Sequence, residues 1–191
     1  MSKKIDTAKI EACMKEILEA LCDDPNREGL KETPKRVAKA YAEIFEGMQY
    51  SNTEIAQMFD KCFEDVETGD LVVIEHIPIF SMCEHHVLPM YNANMSVGYI
   101  PNGKVIGLSK VARIADMVSK RLQLQERIGM DMLDVLKQVL GTEDIIVVIE
   151  GEHACMTMRG VKKPGSKTKT ASLSGAFKTN DALRQEFYNL L

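Results

Sequence analysis

The histidines of this chain cluster beside its cysteines. Three of the four histidines lie within three residues of a cysteine, in the segments 81–86 and 152–155. Cys83 and His86 are close enough in sequence to face one ion, and Cys155 would complete the set from a distant strand. Mixed thiolate and imidazole ligands favour zinc, and three protein ligands leave a coordination position for water, which is typical of catalytic sites. The pattern predicts one catalytic zinc ion per subunit.

A structural zinc site is the alternative, and it would need a fourth protein ligand. His85 or His153 could supply that ligand, and the chain would then be a zinc-stabilised nucleotide-binding or regulatory module without turnover. The remaining histidine, His76, has no cysteine beside it and is interpreted as structural. Packing is the role predicted for the other cysteines, which are Cys13, Cys22 and Cys62.

Cations gather in two places along the chain. The segment 153–180 contains no acidic residue but six basic ones, among them Arg159. Ser109, Lys110 and Arg113 open a predicted helix, where the helix dipole disfavours cations unless an anion is bound. The alternative is that these cations form a solvated surface without a ligand. Taken together the two groups favour a phosphate site, although the chain has no Walker-type glycine loop and is not an ordinary kinase or GTPase.

A candidate base-recognition residue follows in the segment 125–127. The carboxylate of Glu126 could accept hydrogen bonds from N1–H and from the 2-amino group of guanine, a donor pair that adenine does not present. From the residues alone Glu126 is one of many helical glutamates, so this assignment depends on its surroundings.

Apolar periodicity predicts an α+β protein. Helices are expected at 5–22, from Thr33–Pro34 to Gly47 with Thr33 as the cap, from a capping Ser109 to Leu122, at 124–140 and from Thr179 onward; strands are expected at 71–80, 93–100, 144–150, 155–161 and 170–177. Pro78 predicts an edge position or a bulge in the first strand. Because the strands come in pairs, as ββααββ, they do not alternate singly with helices. We divide the chain into an N-terminal helical region, 1–65, and a catalytic domain, 66–191.

Composition and charge exclude several classes of protein. No apolar run has the length of a membrane span, and the N-terminal segment does not have the pattern of a signal peptide. Five cysteines, an odd number, fit a reducing cytoplasm better than a disulfide framework. A net charge of −4, with no tryptophan or tyrosine among residues 159–169, argues against a nucleic-acid partner.

Six segments together resemble the signature segments of the GTP cyclohydrolase I family, in the same order. They are REGL (27–30), ETPKRVA (32–38), SMCEHH (81–86), YIPNGKVIGLSK (99–110), QER (125–127) and HACMTMRGV (153–161). The resemblance implies a tunnelling fold, in which a four-stranded antiparallel sheet carries two helices on one side. It also implies a homodecamer of two stacked pentamers, with active sites between subunits.

The resemblance further implies a reaction and residue roles. The family converts GTP and water to formate and 7,8-dihydroneopterin triphosphate, for folate or other pterin biosynthesis; a related enzyme of the same fold acting on another purine or pterin is the alternative. The zinc ligands match Cys83, His86 and Cys155. The catalytic residues match His85, which would protonate N7 of guanine, and the proton carriers His153 and Ser109. The guanine anchor matches Gln125 and Glu126. Residues at the triphosphate and ribose match Ser109, Lys110, Arg113, Arg159 and Arg36.

One stretch departs from the family pattern. After Leu88–Pro89 the family usually has phenylalanine, then glycine and histidine, whereas this chain has MYNANM at 90–95. The departure lies outside every role carried over above. It leaves open the local turn and a subunit contact.

Overall fold

The computed structural model describes residues 4–66 and 69–191 as a mixture of helices and strands. The helices are α1 (Thr7–Ala20), α2 (Thr33–Ile44), α3 (Asn52–Met58), α4 (Leu108–Ser119), α5 (Gln125–Leu140), α6 (Ala154–Thr157), α7 (Ala176–Thr179) and α8 (Asp181–Asn189), with a 3₁₀ helix at Glu46–Gln49. The strands are β1 (Cys62–Val66), β2 (Val72–Cys83), β3 (Leu88–Tyr99), β4 (Gly103–Ile106), β5 (Leu122–Gln123), β6 (Ile145–His153) and β7 (Lys167–Leu173). None of the described helices combines the length and the apolar character that crossing a membrane requires.

The main sheet has the strand order β5-β2-β3-β6-β7. Strands β2, β3, β6 and β7 pair antiparallel, while β5 adds two residues in parallel to the end of β2. With α4 and α5 between the two strand pairs, the order ββααββ and the four-stranded antiparallel sheet are confirmed. Strands β1 and β4 form a separate two-stranded sheet.

Helices α4 and α5 lie on one face of the main sheet and enclose its larger core. The inward stripe of α5 holds Ile128, Met132 and Leu136, all nearly inaccessible, because apolar residues recur at helical spacing. A smaller core forms around Phe177 and Phe187. Both cores fix the strands from which the site residues project.

Strand β2 is longer than predicted and has an open edge. It runs to Cys83, and β5 pairs only with Met82 and Cys83, so the stretch around Pro78 has β3 alone as its partner. The register with β3 shifts on both sides of Pro78. The predicted edge position and bulge are therefore confirmed, and both tolerate a residue without a backbone N–H.

The N-terminal region joins the main core through its last helix. Helix α1 packs on α2, whereas Ile55 and Ala56 of α3 lie in the larger core. Strand β1 then pairs with β4, so the predicted domain boundary at 65/66 falls at its end. The division into two regions stays a prediction.

Two predicted caps, one predicted helix end and one predicted strand were wrong. Glu32 is the N-cap of α2 and Gly107 that of α4, so Thr33 and Ser109 lie inside the first turn and make no side-chain cap. Helix α2 ends at Ile44, three residues before Gly47. The segment 155–161 is not a strand. It contains most of α6 and a turn at Gly160, whose φ is 59°, and the next strand, β7, begins only at Lys167. A cap depends on where the chain leaves the preceding element, which residue types alone do not specify.

Candidate active site

Three predicted metal ligands meet at one end of the main sheet. Cys83 is the last residue of β2, His86 lies in the turn that leads to β3, and Cys155 lies in α6 just after β6. One ligand atom from each lies within 4.8 Å of the others. The antiparallel ladder explains the meeting: Met90 of β3 pairs with His153, so the hairpin turn and the end of β6 lie side by side.

Cys155 reaches this group from a helical turn, which corrects the expected strand. Its thiol is half-buried, and burial together with the neighbouring Cys83 raises the pKa of Cys155. A metal ligand must be the thiolate, so a cation here competes with a proton and binding becomes weaker as pH falls. Two thiols and an imidazole at this spacing fit zinc.

Neither candidate for a fourth ligand belongs to the group of three. His85 lies in the same exposed turn, with Nδ1 3.9 Å from the Sγ atom of Cys83. His153 is engaged elsewhere, because its Nε2 lies 2.8 Å from Oε1 of Gln125. The group therefore has three protein ligands, and a catalytic zinc site with three protein ligands takes water or substrate in its fourth position.

Arg159 also lies against the metal group. Its Nη1 donates to Nε2 of His86 at 3.0 Å. A guanidinium can only donate, so this ring nitrogen accepts. A metal ion on His86 would use one ring nitrogen and leave the other protonated, so the ring could then no longer accept from Arg159.

The side chain of Gln125 is buried among hydrogen-bond partners from the sheet. Its side chain is 3% exposed, and its Nε2 faces the carbonyls of Ile149 and Thr168 and the hydroxyl of Thr170 at 3.0–3.2 Å. This fixes the amide with Oε1 toward His153, so Nε2 of His153 is the donor and Nδ1 carries the free lone pair. The contact joins residues 28 apart in sequence, and nothing in the local pattern indicates it.

His153 is held neutral by its surroundings. Burial lowers the pKa of His153, and the negative charge of Glu126 opposes that shift in part. Glu126 itself is exposed in the first turn of α5 and borders a cleft of about 490 Å³ between α5 and β7. Glu126 and His153 therefore lie close enough to affect each other electrostatically.

The predicted phosphate residues on α4 and α2 lie apart from the metal group. Ser109, Arg113 and Arg36 are exposed, and Nζ of Lys110 donates to the carbonyl of Lys61. Among the hydrogen bonds and ion pairs within 4–66 and 69–191, none joins these four residues to the three metal ligands. Of the cations predicted at the phosphate, Arg159 is the one that forms a described hydrogen bond with a metal ligand of its own chain, His86.

The stretch that departs from the family pattern supports α6. Asn92 adopts a φ of 48°, which asparagine tolerates better than most residues, and its amide donates to Glu152 at 3.1 Å. The hydroxyl of Tyr91 donates to that of Thr157 at 2.9 Å. The stretch therefore continues β3 through a register shift against β6, without glycine, and Tyr91 holds the helix that carries Cys155. The sequence gives no signal for this contact.

Comparison with known proteins agrees with the geometry. The sequence profile of GTP cyclohydrolase I matches residues 10–191. The chain is 58% identical to GTP cyclohydrolase 1 of Clostridium beijerinckii over 191 residues, 97% of each chain, and 58% identical to that of Clostridium acetobutylicum over 183 residues, 94% of each. A crystal structure of the archaeosine synthase QueF-Like has a TM-score of 0.46 at 21% identity, over 55% of this chain and 93% of that one. The profile match and the identities establish that the chain belongs to the GTP cyclohydrolase I family.

Proposed function

We propose that this chain is a zinc-dependent GTP cyclohydrolase I, which converts GTP and water to formate and 7,8-dihydroneopterin triphosphate. This reaction would be the first step of folate or pterin biosynthesis. The observation that carries the proposal is the group formed by Cys83, His86 and Cys155, with donor atoms within 4.8 Å of one another and His85 next to Cys83. Membership of the family supplies the substrate.

The three ligands would hold zinc and leave its remaining position facing the substrate. Zinc bound there supplies Lewis-acid activation of the water that attacks C8 of guanine. Cys83 and Cys155 contribute two negative charges, which the chain stabilises only when a cation is present, since burial disfavours the thiolate of Cys155.

His85 and His153 are suited to different proton transfers. His85 is exposed next to a ligand, where its imidazolium can protonate N7 and make C8 electrophilic. His153 is neutral, and its bond to Gln125 leaves Nδ1 as the atom that accepts a proton. Ser109 would carry a proton in the later opening and rearrangement of the ribose.

Charged residues would hold the two ends of GTP. Glu126 would accept from N1–H and the 2-amino group of guanine. Arg159 would leave His86 when the metal binds and turn its guanidinium to the triphosphate, because the metal-bound ring offers it no lone pair. Lys110, Arg113 and Arg36 would contact the triphosphate as well, and Gln125 would act on the base only through His153.

The separation of the phosphate cations from the metal group favours a site shared between subunits. We infer a homodecamer of two pentamers, as the resemblance implies. Large apolar side chains support an assembly, since Phe80 is 71%, Phe63 65% and Leu108 65% exposed in a single chain. The outer edge of β7, which pairs on one side only within the described sheet, could pair with a neighbouring copy. Free thiols and thiolate ligands suit a cytoplasmic location.

The decisive experiment incubates the purified protein with GTP and follows formate release and pterin fluorescence. Cys155→Ser should lose bound zinc and all turnover. His85→Ala should keep zinc near one ion per subunit, while turnover falls roughly 10²–10⁴-fold, the effect of a lost general acid.

Failure to release formate from GTP with zinc bound would refute the proposed activity and favour a binding module. Normal zinc content in Cys155→Ser, or lost zinc in His85→Ala, would refute the ligand assignment.

A further inference from the structure

The turn that carries His85 and His86 is tied to α5 by an ion pair. Oε2 of Glu84 accepts from Nη1 of Arg127 at 2.5 Å, and Oε1 faces Nη2 at 3.4 Å. The hydrogen bonds of His85 with Cys83 and of His86 with Arg159 each involve one of the metal ligands.

A second connection lies one helical turn further along α5. Oδ2 of Asp131 accepts from Nε2 of Gln123 at 2.7 Å and from Nη1 of Arg121 at 2.8 Å. Gln123 is 1% exposed and pairs with Cys83 through β5. Its carbonyl also accepts from the backbone N–H of Glu84 at 3.1 Å. Residues four apart share one face of a helix. Arg127 and Asp131 on this face of α5 therefore contact the end of β2 at two points, directly through Glu84 and indirectly through Gln123 of β5.

The two points differ in burial. The Arg121–Asp131 pair is mostly buried, with side-chain exposures of 13% and 18%, and fixes β5 to the helix. The Arg127–Glu84 pair is 43% and 29% exposed, so its contribution to overall stability is small. Its effect must be local, on the turn between Cys83 and Leu88.

We propose that Arg127 is a positioning residue for the metal site. Its ion pair with Glu84 fixes the turn that carries His86 against the first turn of α5. Because Glu126 precedes Arg127, the same contact also sets the distance between the metal ligands and Glu126, the residue proposed to bind guanine. The inference rests on the proposed metal site, and it assigns Arg127 no contact with the metal or with GTP.

The test measures zinc affinity of the full-length protein by competition with a chromogenic chelator. Arg127→Ala should weaken zinc binding roughly 10–100-fold, the usual effect of losing a residue that orients metal ligands. Lys137→Ala is the matched control, because Lys137 also lies on α5 and pairs with Glu143 at 2.5 Å, away from the site. The control should bind zinc as the unmodified protein does, with a similar melting temperature.

A double-mutant cycle separates positioning from a direct effect. In a Glu84→Ala background, Arg127→Ala should cause little further loss of zinc affinity, because its hydrogen-bond partner is already gone. Arg127→Lys keeps the charge but not the two-point contact, so it should fall between the unmodified protein and Arg127→Ala. It also serves if the alanine variant does not fold. In cobalt-loaded protein, the visible absorption bands should change with Arg127→Lys and not with Lys137→Ala.

Two results would overturn the proposal. One is unchanged zinc affinity and an unchanged cobalt spectrum in Arg127→Ala or, where that does not fold, in Arg127→Lys. The other is a loss in the double variant equal to the sum of the single losses. Neither outcome touches the proposed function, which fails separately if the unmodified protein does not bind zinc or release formate.

Discussion

Replacing Gln125 with leucine would keep the volume of this buried side chain and remove its polar atoms. The amide makes at most three hydrogen bonds at once: it accepts from His153 at 2.8 Å, and its two N–H groups serve the carbonyls of Ile149 and Thr168 or the hydroxyl of Thr170 at 3.0–3.2 Å. At about 1 kcal/mol for each, the loss of stability is roughly 3 kcal/mol. For a chain of this size, that corresponds to a fall of roughly 6–12 °C in melting temperature.

The effect on catalysis should identify the role of Gln125. If it orients His153, Gln125→Leu lowers kcat by up to the roughly 10²–10⁴-fold of a lost proton carrier, while KM for GTP and zinc content change little. If it anchors guanine, KM rises instead. Gln138→Leu is the matched control, since Gln138 lies exposed on the same helix and donates only to Asp134, at 3.3 Å.

Melting curves at one protein concentration, steady-state kinetics with GTP and zinc analysis would be measured for both variants. A Gln125→Leu protein as stable as Gln138→Leu, or one impaired only in KM, would refute the reasoning.

Three further predictions concern packing, pH and assembly. A Cβ at Gly129 would lie 2.4 Å from Oγ and 3.2 Å from Cβ of Ser172, so Gly129→Ala should lower the free energy of unfolding by about 1–3 kcal/mol. In a Ser172→Gly background, where this clash is absent, the same substitution should raise the free energy of unfolding by about 1 kcal/mol. Urea unfolding that gives the same sign in both backgrounds would contradict this prediction. Two lysines of β7, Lys167 and Lys169, lower the pKa of Glu150 to about 2. The ionised Glu150 adds at most about 1 kcal/mol to the stability, because its lysine partners are exposed. This contribution is present above about pH 4.5 and is lost as pH falls toward 2. The gap in urea midpoint between Glu150→Gln and the unmodified protein should therefore narrow with acid, and a constant gap would count against it. The Cys83→Ala and Arg113→Ala proteins should each be inactive. When the two are mixed equally, unfolded together and reassembled, the activity should recover toward about one quarter of that of the unmodified protein. Mixed oligomers without recovery would show that one chain supplies both residues to a site.

Local spacing alone determined much of this protein. The two ligands Cys83 and His86 are three residues apart, so one turn can aim both at an ion whatever the rest of the fold does. Apolar periodicity placed α5 within one residue of its observed bounds, and Gly141 ends it with a φ of 65°. Each of these features depends on neighbours within about one turn of chain, and such neighbours are visible in the sequence.

Only the tertiary structure decided which polar groups meet. Nothing in the sequence predicts that Gln125 contacts His153, or that Glu84 contacts Arg127 across 43 residues. Periodicity reports which side of an element is buried, but a hydrogen-bond partner is chosen by the register of strands and the docking of helices. That register brings the end of β6 beside the β2–β3 turn. It is why Cys155 joins the metal group from a helical turn, although the sequence predicted a strand there.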